Sequence, residues 1–330
     1  MGNTVFLIGT EHQLFQVQIA ISHFKLDTKK IFLLILAIEN DNFAQKMKGN
    51  GQYGQVVVFQ NWVFKDLLLN RSKCVAFITF CNNLKRDNTI DNFFTSHYDS
   101  DPDLLFLSIV NPTQYYLMDE GTASFSVVNT RNKLVYQKKI ELFIKSLLYG
   151  KVFSLPSKVT YFTQYNLNKK DYDIIKKYQV NKISNPLIKL LRSESIFIGT
   201  SIVELDMIKD VHYLILLQKV YNDIKETKCY YYPHRKESAE KLQLIEQMGF
   251  IIKKIDEPFE SMFSKQQEFP ALCCSFFTTG VLYNIAKSNE IIPELKVYKF
   301  NVTLLKFDSN VYERIYTEML TNSRLKFIEI

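Results

Sequence analysis

Hydrophobic and polar positions change their spacing several times along the chain. Residues 5–8 (VFLI) form a short apolar run, residues 9–12 are mostly polar, residues 14–24 place apolar side chains at helical intervals, and residues 31–38 (IFLLILAI) are apolar throughout. That succession predicts strand, loop, amphipathic helix and buried strand, a β-α-β opening. Short apolar runs at 56–59, 74–80, 104–110 and 114–118 then alternate with polar stretches of helical length. The alternation predicts an α/β layer whose strands make a largely parallel sheet.

A second series begins beyond residues 151–159. Apolar runs at 195–198, 228–232 and 250–255 alternate with helical periods at 213–224, 236–248 and 278–287, and residues 309–325 have the pattern of a terminal helix. The restart divides the chain near residue 155, with residues 155–157 as the linker, into Rossmann-like domains over 1–155 and 156–330. No internal repeat or low-complexity tract interrupts the two series. The longest apolar run has eight residues, far short of the ~20 a membrane-spanning helix needs.

Composition sets limits without choosing a fold. Ten Gly and 8 Pro in 330 residues, against 26 Phe and 19 Tyr, exclude collagen-like and disordered classes. The 41 Lys and Arg against 34 Asp and Glu leave a net charge of +7, which suits an anionic substrate, a nucleic acid or an acidic membrane surface alike. Cys74, Cys81, Cys229, Cys273 and Cys274 include no Cys-x-x-Cys pair, and this odd set fits a reducing, intracellular setting better than a disulfide framework. The opening MGNTVFLIGTEH lacks the basic region of a secretory signal, and Phe6 stands where a myristoylation signal has Ser or Thr.

Three patterns have plainer explanations than the chemistry they resemble. Gly49, Gly51 and Gly54 spell the dinucleotide fingerprint, but a helical stretch precedes them and a strand follows, the reverse of what a pyrophosphate site needs. Asp99, Asp101 and Asp103 begin like a calcium loop, yet Leu104 occupies the position where the turn demands Gly, so a solvated loop is expected. The same aspartates, and Asp171 with Asp173, match the Asp-x-Asp pattern of metal-dependent sugar transferases. Lys169, Lys170, Lys176 and Lys177 make the second of these a charged helix face. Tyr230, Tyr231 and Tyr232 beside Lys228, Arg235 and Lys236 mix rings and cations as single-strand nucleic-acid grooves do, without an RNA-binding motif around them.

Four further segments fall where α/β sheets place their sites, at strand ends. Asp119-Glu120-Gly121 closes an apolar run with two carboxylates, either of which can act as a base, or simply form an acidic turn. Tyr232-Pro233-His234-Arg235 offers an imidazole and a guanidinium to a phosphate. Glu257-Pro258-Phe259-Glu260 offers carboxylates to ribose hydroxyls. Ser275, Thr278 and Thr279 precede a helical period, where hydroxyls and free N–H groups converge on an anion or merely cap a helix.

In this order the segments resemble the bacterial sialyltransferases of the GT-B type, in particular the family-52 lipooligosaccharide and capsule sialyltransferases and the related polysialyltransferases. Asp119-Glu120-Gly121 matches their D/E-D/E-G motif, and Tyr231-Tyr232-Pro233-His234 approximates their His-Pro motif. Pro258-Phe259-Glu260 matches Pro-x-Glu, and Ser275, Thr278 and Thr279 match the late S-x-x-S-S/T pattern. Residues 5–20 and 196–200, with Gly199, add similarity. Arg235 stands where those families have Pro, and Thr278-Thr279 replaces a Ser-rich pair.

The resemblance implies a GT-B fold, two Rossmann-like domains facing a central cleft, the first holding acceptor and base and the second the donor. It implies inverting, metal-independent transfer of sialic acid from CMP-sialic acid to a sugar hydroxyl, a terminal galactose or another sialic acid, in capsule or lipooligosaccharide synthesis. No cofactor is expected. Asp119 would be the base with Glu120 as its fallback, and His234 the phosphate ligand or acid. Thr278 and Thr279 would hold phosphate, Ser275 the turn and Glu260 the ribose, with Gly199 and Arg235 also lining the donor. The expected setting is cytoplasmic, with peripheral contact at the inner face of the inner membrane and no nucleic-acid partner. The alternatives are another nonulosonic-acid or nucleotide-sugar donor, or a noncatalytic protein that binds an anionic ligand.

Overall fold

A run such as Ile31–Ala37 buries both its faces only in a sheet covered on both sides, and that is where it lies. The structure is a computed structural model and describes residues 2–37, 42–62, 71–132, 136–150, 153–179, 188–255, 259–306 and 309–330. The chain divides into two compact units, Met1–Gln179 and Val180–Ile330. Among the described residues no helix is long and apolar enough to cross a membrane.

In the first unit β1 (Asn3–Ile8), β2 (Ile31–Ala37), β3 (Gln55–Gln60), β4 (Ile90–Thr95), β5 (Gln114–Met118), β6 (Thr160–Thr163) and β7 (Ile174–Lys177) form one parallel sheet. Its order is β3-β2-β1-β4-β5-β6-β7. Val5 and Leu7 share a core with Phe77 and Cys81 of the helix Arg71–Asp87 and with Leu104 and Phe106 of the helix Asp101–Val110. On the other face Phe6, Phe94 and Tyr116, in register across β1, β4 and β5, stack with ring centroids 4.7 and 4.3 Å apart. Phe24, at the end of the helix Glu11–Phe24, meets both Phe94 and Tyr116.

Residues 74–80 and 104–110, expected among the strands, are helical. Cys74, Phe77, Cys81 and Leu84 are buried at intervals of three and four, the spacing of one helix face. The second run is bracketed by caps. Ser100 accepts from the Asp103 N–H, and Asn111 turns left-handed at φ 53° while its N–H reaches Leu107 O. Asp103 therefore sits buried in a first helical turn, not in a solvated loop. β4, with the partly polar sequence IDNFFT, is the strand that the apolar pattern passes over.

Residues 155–157 do not separate the units. Pro156 O accepts from Tyr98 OH at 3.1 Å and Ser157 O from Arg131 Nη2 at 2.8 Å, and β6 and β7 then complete the first sheet, so that unit runs to Gln179. The buried guanidinium of Arg131 pairs with Asp173, directly ahead of β7, and donates to Tyr161 OH in β6 at 2.9 Å. Asp173 is thus half of a buried ion pair rather than part of a charged helix face.

The second unit repeats the plan with β8 (Lys189–Ile198), β9 (Lys228–Tyr232), β10 (Ile251–Ile252), β11 (Glu268–Phe276), β12 (Glu294–Lys299) and β13 (Leu325–Glu329). The order is β10-β9-β8-β11-β12-β13, again parallel. The helix Ser309–Leu320 is shorter than the expected terminal helix because the chain then enters β13, an edge strand. In both units the first strand is central, with the second and third on one side and the later ones on the other, the Rossmann order.

Candidate functional site

In sheets of this order the connections leave in opposite directions on either side of the central strand, and a crevice opens at the carboxyl ends of the two strands there. In the first unit these are β1 and β4, and in the second β8 and β11. The residues that follow them, and those that follow the adjoining β5 and β9, include most of the sites expected from the sequence.

Asp119 and Glu120 follow β5 and face different surroundings. Asp119 is buried and accepts from Ser124 Oγ at 2.8 Å, Gln164 N–H at 2.9 Å and Tyr178 OH at 3.0 Å. Burial pushes its carboxyl above the usual carboxylate range, against the pull of Thr163 and these donors. Its lone pairs tie β5 to the segments that follow β6 and β7, so the residue expected to be the base is turned into the fold. Glu120 is the accessible carboxylate, with its side chain 32% exposed. His97 Nδ1, beyond the end of β4, lies 3.2 Å from Glu120 Oε2, and Gln13 Nε2, in the first turn of the helix Glu11–Phe24, lies 3.1 Å from Glu120 Oε1. Gln13 itself is buried, accepts from the Gly9 N–H at 2.6 Å and approaches His97 Nε2 at 3.3 Å. Beneath them Asp103 is held by Ser100, its carboxyl pushed up to about 6 by burial, against the attraction of nearby His97.

In the second unit Gly199 directly follows β8, and its N–H donates to Tyr232 O at 2.8 Å. A Cβ there would stand 2.2 Å from Glu237 Oε1 and 2.6 Å from Tyr231 OH, so only glycine lets the strand end pass these groups. Glu237 organises the loop after β9. It accepts from Tyr231 OH at 2.7 Å and from the His234 N–H at 2.7 Å, and pairs with Lys241 at 3.1 Å. Lys241 is buried, lies 4.0 Å from the Tyr213 ring centroid and reaches Thr200 O at 3.3 Å. Burial raises the Glu237 carboxyl above its ordinary range, with Lys241 the largest opposing influence.

The His234 ring is thereby presented in one form. Its Nδ1 accepts the Lys236 N–H at 3.2 Å, which leaves the proton of the neutral ring on Nε2. Partial desolvation, and then Arg235 and Lys236, hold the imidazole below its usual range. At neutral pH His234 is an uncharged N–H donor beside an exposed Arg235.

The late hydroxyls flank β8 from the opposite side. Ser275 is fully buried within β11 and Thr278 is buried just beyond it, whereas Thr279 is half-buried, its Oγ1 3.4 Å from the Val281 N–H at the start of the helix Val281–Ser288. Glu260 lies in the first turn of the helix Phe259–Lys265, not at a strand end, and Glu257 and Pro258 lie outside the described residues. Gly49, Gly51 and Gly54 occupy the loop from the helix Asn42–Met47 to β3, as expected. Asp101 pairs with Lys145 and Asp173 with Arg131, so each of the Asp-x-Asp patterns has one aspartate committed to an ion pair within the fold.

Gln13, His97 and Glu237 belong to none of the motifs read from the sequence. The one sequence signal for Glu237 is its place three residues after His234. Gln13 and His97 meet Glu120 only through the pairing of β1, β4 and β5.

No protein-family model matches the chain, and no curated protein matches its sequence. Solved structures resemble it. A sialyltransferase from Photobacterium damsela aligns over 99% of this chain and 82% of its own length, with a TM-score of 0.50 and 10% identity. The glycotransferase of kitacinnamycin aligns over 100% of this chain and 86% of its own, with a TM-score of 0.51 and 6% identity. Likeness at such identities is one of fold. Together with the two sheet orders it shows the GT-B architecture.

Proposed function

We propose that this chain is a glycosyltransferase and, more narrowly, an inverting sialyltransferase that takes CMP-sialic acid as donor and works without a metal ion. The observation that carries the reading is Glu120, one accessible carboxylate after β5, anchored by Gln13 and His97, which follow the switch-point strands β1 and β4 of the first sheet. The neutral His234 donor after β9, beside the central β8 of the second sheet, supports it, as does the fold shared with a sialyltransferase.

In this mechanism the acceptor sugar hydroxyl attacks the anomeric carbon of the sialyl group and passes its proton to Glu120. The bond from that carbon to the CMP phosphate oxygen breaks, and CMP leaves with the bonding electron pair. Because the sialyl centre becomes oxocarbenium-like, the base is needed late, as the new bond forms. His234 Nε2–H, the Thr279 hydroxyl and the N–H groups at the start of the helix Val281–Ser288 stabilise the phosphate charge, with Arg235 adding attraction. Thr278 and Ser275 support that turn from inside, and Glu260 holds the ribose. Asp119 fixes the backbone that carries Glu120.

The test is release of CMP from CMP-N-acetylneuraminic acid by the purified protein, in chelator, with and without lactose. Release stimulated by lactose and abolished in His234→Ala is expected. Protein that binds UDP but not CMP overturns the donor assignment, and consumption of no nucleotide sugar overturns the transferase reading.

A further inference from the structure

Gln13 contacts three groups that follow different strand ends, and its NH2 group commits both of its hydrogens. An amide has one oxygen and one nitrogen, and the Gly9 N–H at 2.6 Å can be accepted only by the oxygen. The NH2 end must then face the pair beyond it, with one hydrogen for Glu120 Oε1 at 3.1 Å and one for His97 Nε2 at 3.3 Å. A ring nitrogen that accepts a hydrogen bond carries no proton. The neutral His97 ring must therefore hold its proton on Nδ1, which lies 3.2 Å from Glu120 Oε2.

We infer that Gln13 is a positioning residue for Glu120: it donates to the carboxylate directly and, by fixing the His97 tautomer, makes the imidazole donate to the other oxygen. Both donors hold the carboxylate in one orientation. The inference rests on the reading of Glu120 as the group that activates the acceptor.

Among the described residues, Asp103 of the helix Asp101–Val110 interacts electrostatically with His97, Tyr115 OH donates to the His97 carbonyl, and Asp119 is turned into the fold. None of these three donates to His97 Nε2.

Two measurements test the inference on the full chain. The first is the nitrogen-15 spectrum of the histidines at neutral pH, assigned by comparison with His97→Ala. The wild-type His97 signals should show a protonated Nδ1 and a bare Nε2, the less common tautomer in water. A protonated Nε2 in the wild type overturns the inference whether or not the protein transfers sugar. The second uses Gln13→Glu, which keeps the side-chain shape and the acceptor for Gly9 but puts a carboxylate where the donor stood. Both His97 nitrogens should become protonated, and kcat should fall about 10²-fold, the scale of a misplaced reacting group, at an unchanged KM for donor.

Gln13→Leu should lower kcat in the same way without adding charge. If the wild type transfers sialic acid and both variants keep its kcat, Gln13 has no hold on the base and the inference fails while the functional reading stands. If the wild type consumes no nucleotide sugar, the functional reading fails, and the spectra alone decide whether Gln13 sets the protonation of the pair.

Discussion

Asp119 and Glu120 are adjacent carboxylates whose neighbours give them different work. Asp119 meets Ser124 Oγ, the Gln164 N–H and Tyr178 OH, all donors. In Asp119→Asn an amide N–H would face one of them, which costs on the order of 1–3 kcal/mol, and calorimetry should record a lower melting temperature. Glu120→Gln should melt close to the wild type, because Glu120 and His97 are both partly exposed, yet turn over about 10²- to 10⁴-fold more slowly. A Glu120→Gln enzyme with normal turnover would move the base elsewhere. The pair itself was legible as a motif. Which of the two faces outward was not, because the partners that turn Asp119 inward lie 45 and 59 residues further on. Gln13 is likewise 84 residues from His97 and 107 from Glu120. Only His234, whose ring is set by a residue two places away, had its geometry written locally.

Ser100-Asp101-Pro102-Asp103 shows how an element can be misread while its signals are present. Three aspartates within five residues suggest an acidic loop, but Ser followed three places later by an acid, with Pro in the first turn, is also the signature of a helix start. The apolar run behind it is that helix. Ser100→Ala should therefore cost about 1 kcal/mol of stability, measurable as a lower urea midpoint.

Asp103 makes the same helix start pH-sensitive. Folded, its carboxyl keeps its proton up to about 6, whereas an unfolded aspartate releases it near ~3.9. The folded state binds more protons in that window, so this group's contribution grows as pH falls from about 6 to about 4 and is lost as pH rises through the same range. Asp103→Asn should remove that slope. Urea midpoints of wild type and variant, compared at several pH values, should diverge toward acid, and parallel curves would show that Asp103 does not titrate there. The helix Arg71–Asp87 was readable too, from the intervals of Cys74, Phe77, Cys81 and Leu84, whereas β4 gave little apolar signal of its own.

At the scale of the molecule the β-α alternation, its restart and the parallel sheets were legible, because buried parallel strands need continuous apolar runs. The boundary was not, because it depends on where Arg131 finds its partners. A chain ending at residue 155 would lack Tyr161 and Asp173 and leave a buried guanidinium without its counterion, a loss of about 3–5 kcal/mol. It would also lack the donors Gln164 and Tyr178 that hold Asp119. Residues 1–179 expressed alone should unfold in one cooperative transition on heating, and residues 1–155 should not. Equal cooperativity in the two fragments would return the boundary to the earlier position.

The central place of β1 also has a consequence for synthesis. β1 pairs with β2 on one side and β4 on the other, and β4 leaves the ribosome roughly 80 residues after β1, a delay of about 4–16 s at common elongation rates. Until then a row of backbone donors and acceptors flanked by Val5, Phe6 and Leu7 stands open along one side of the nascent sheet. β8 waits in the same way for β11. Each half of the chain is thus most open to mispairing with a neighbouring nascent copy before its last central partner emerges.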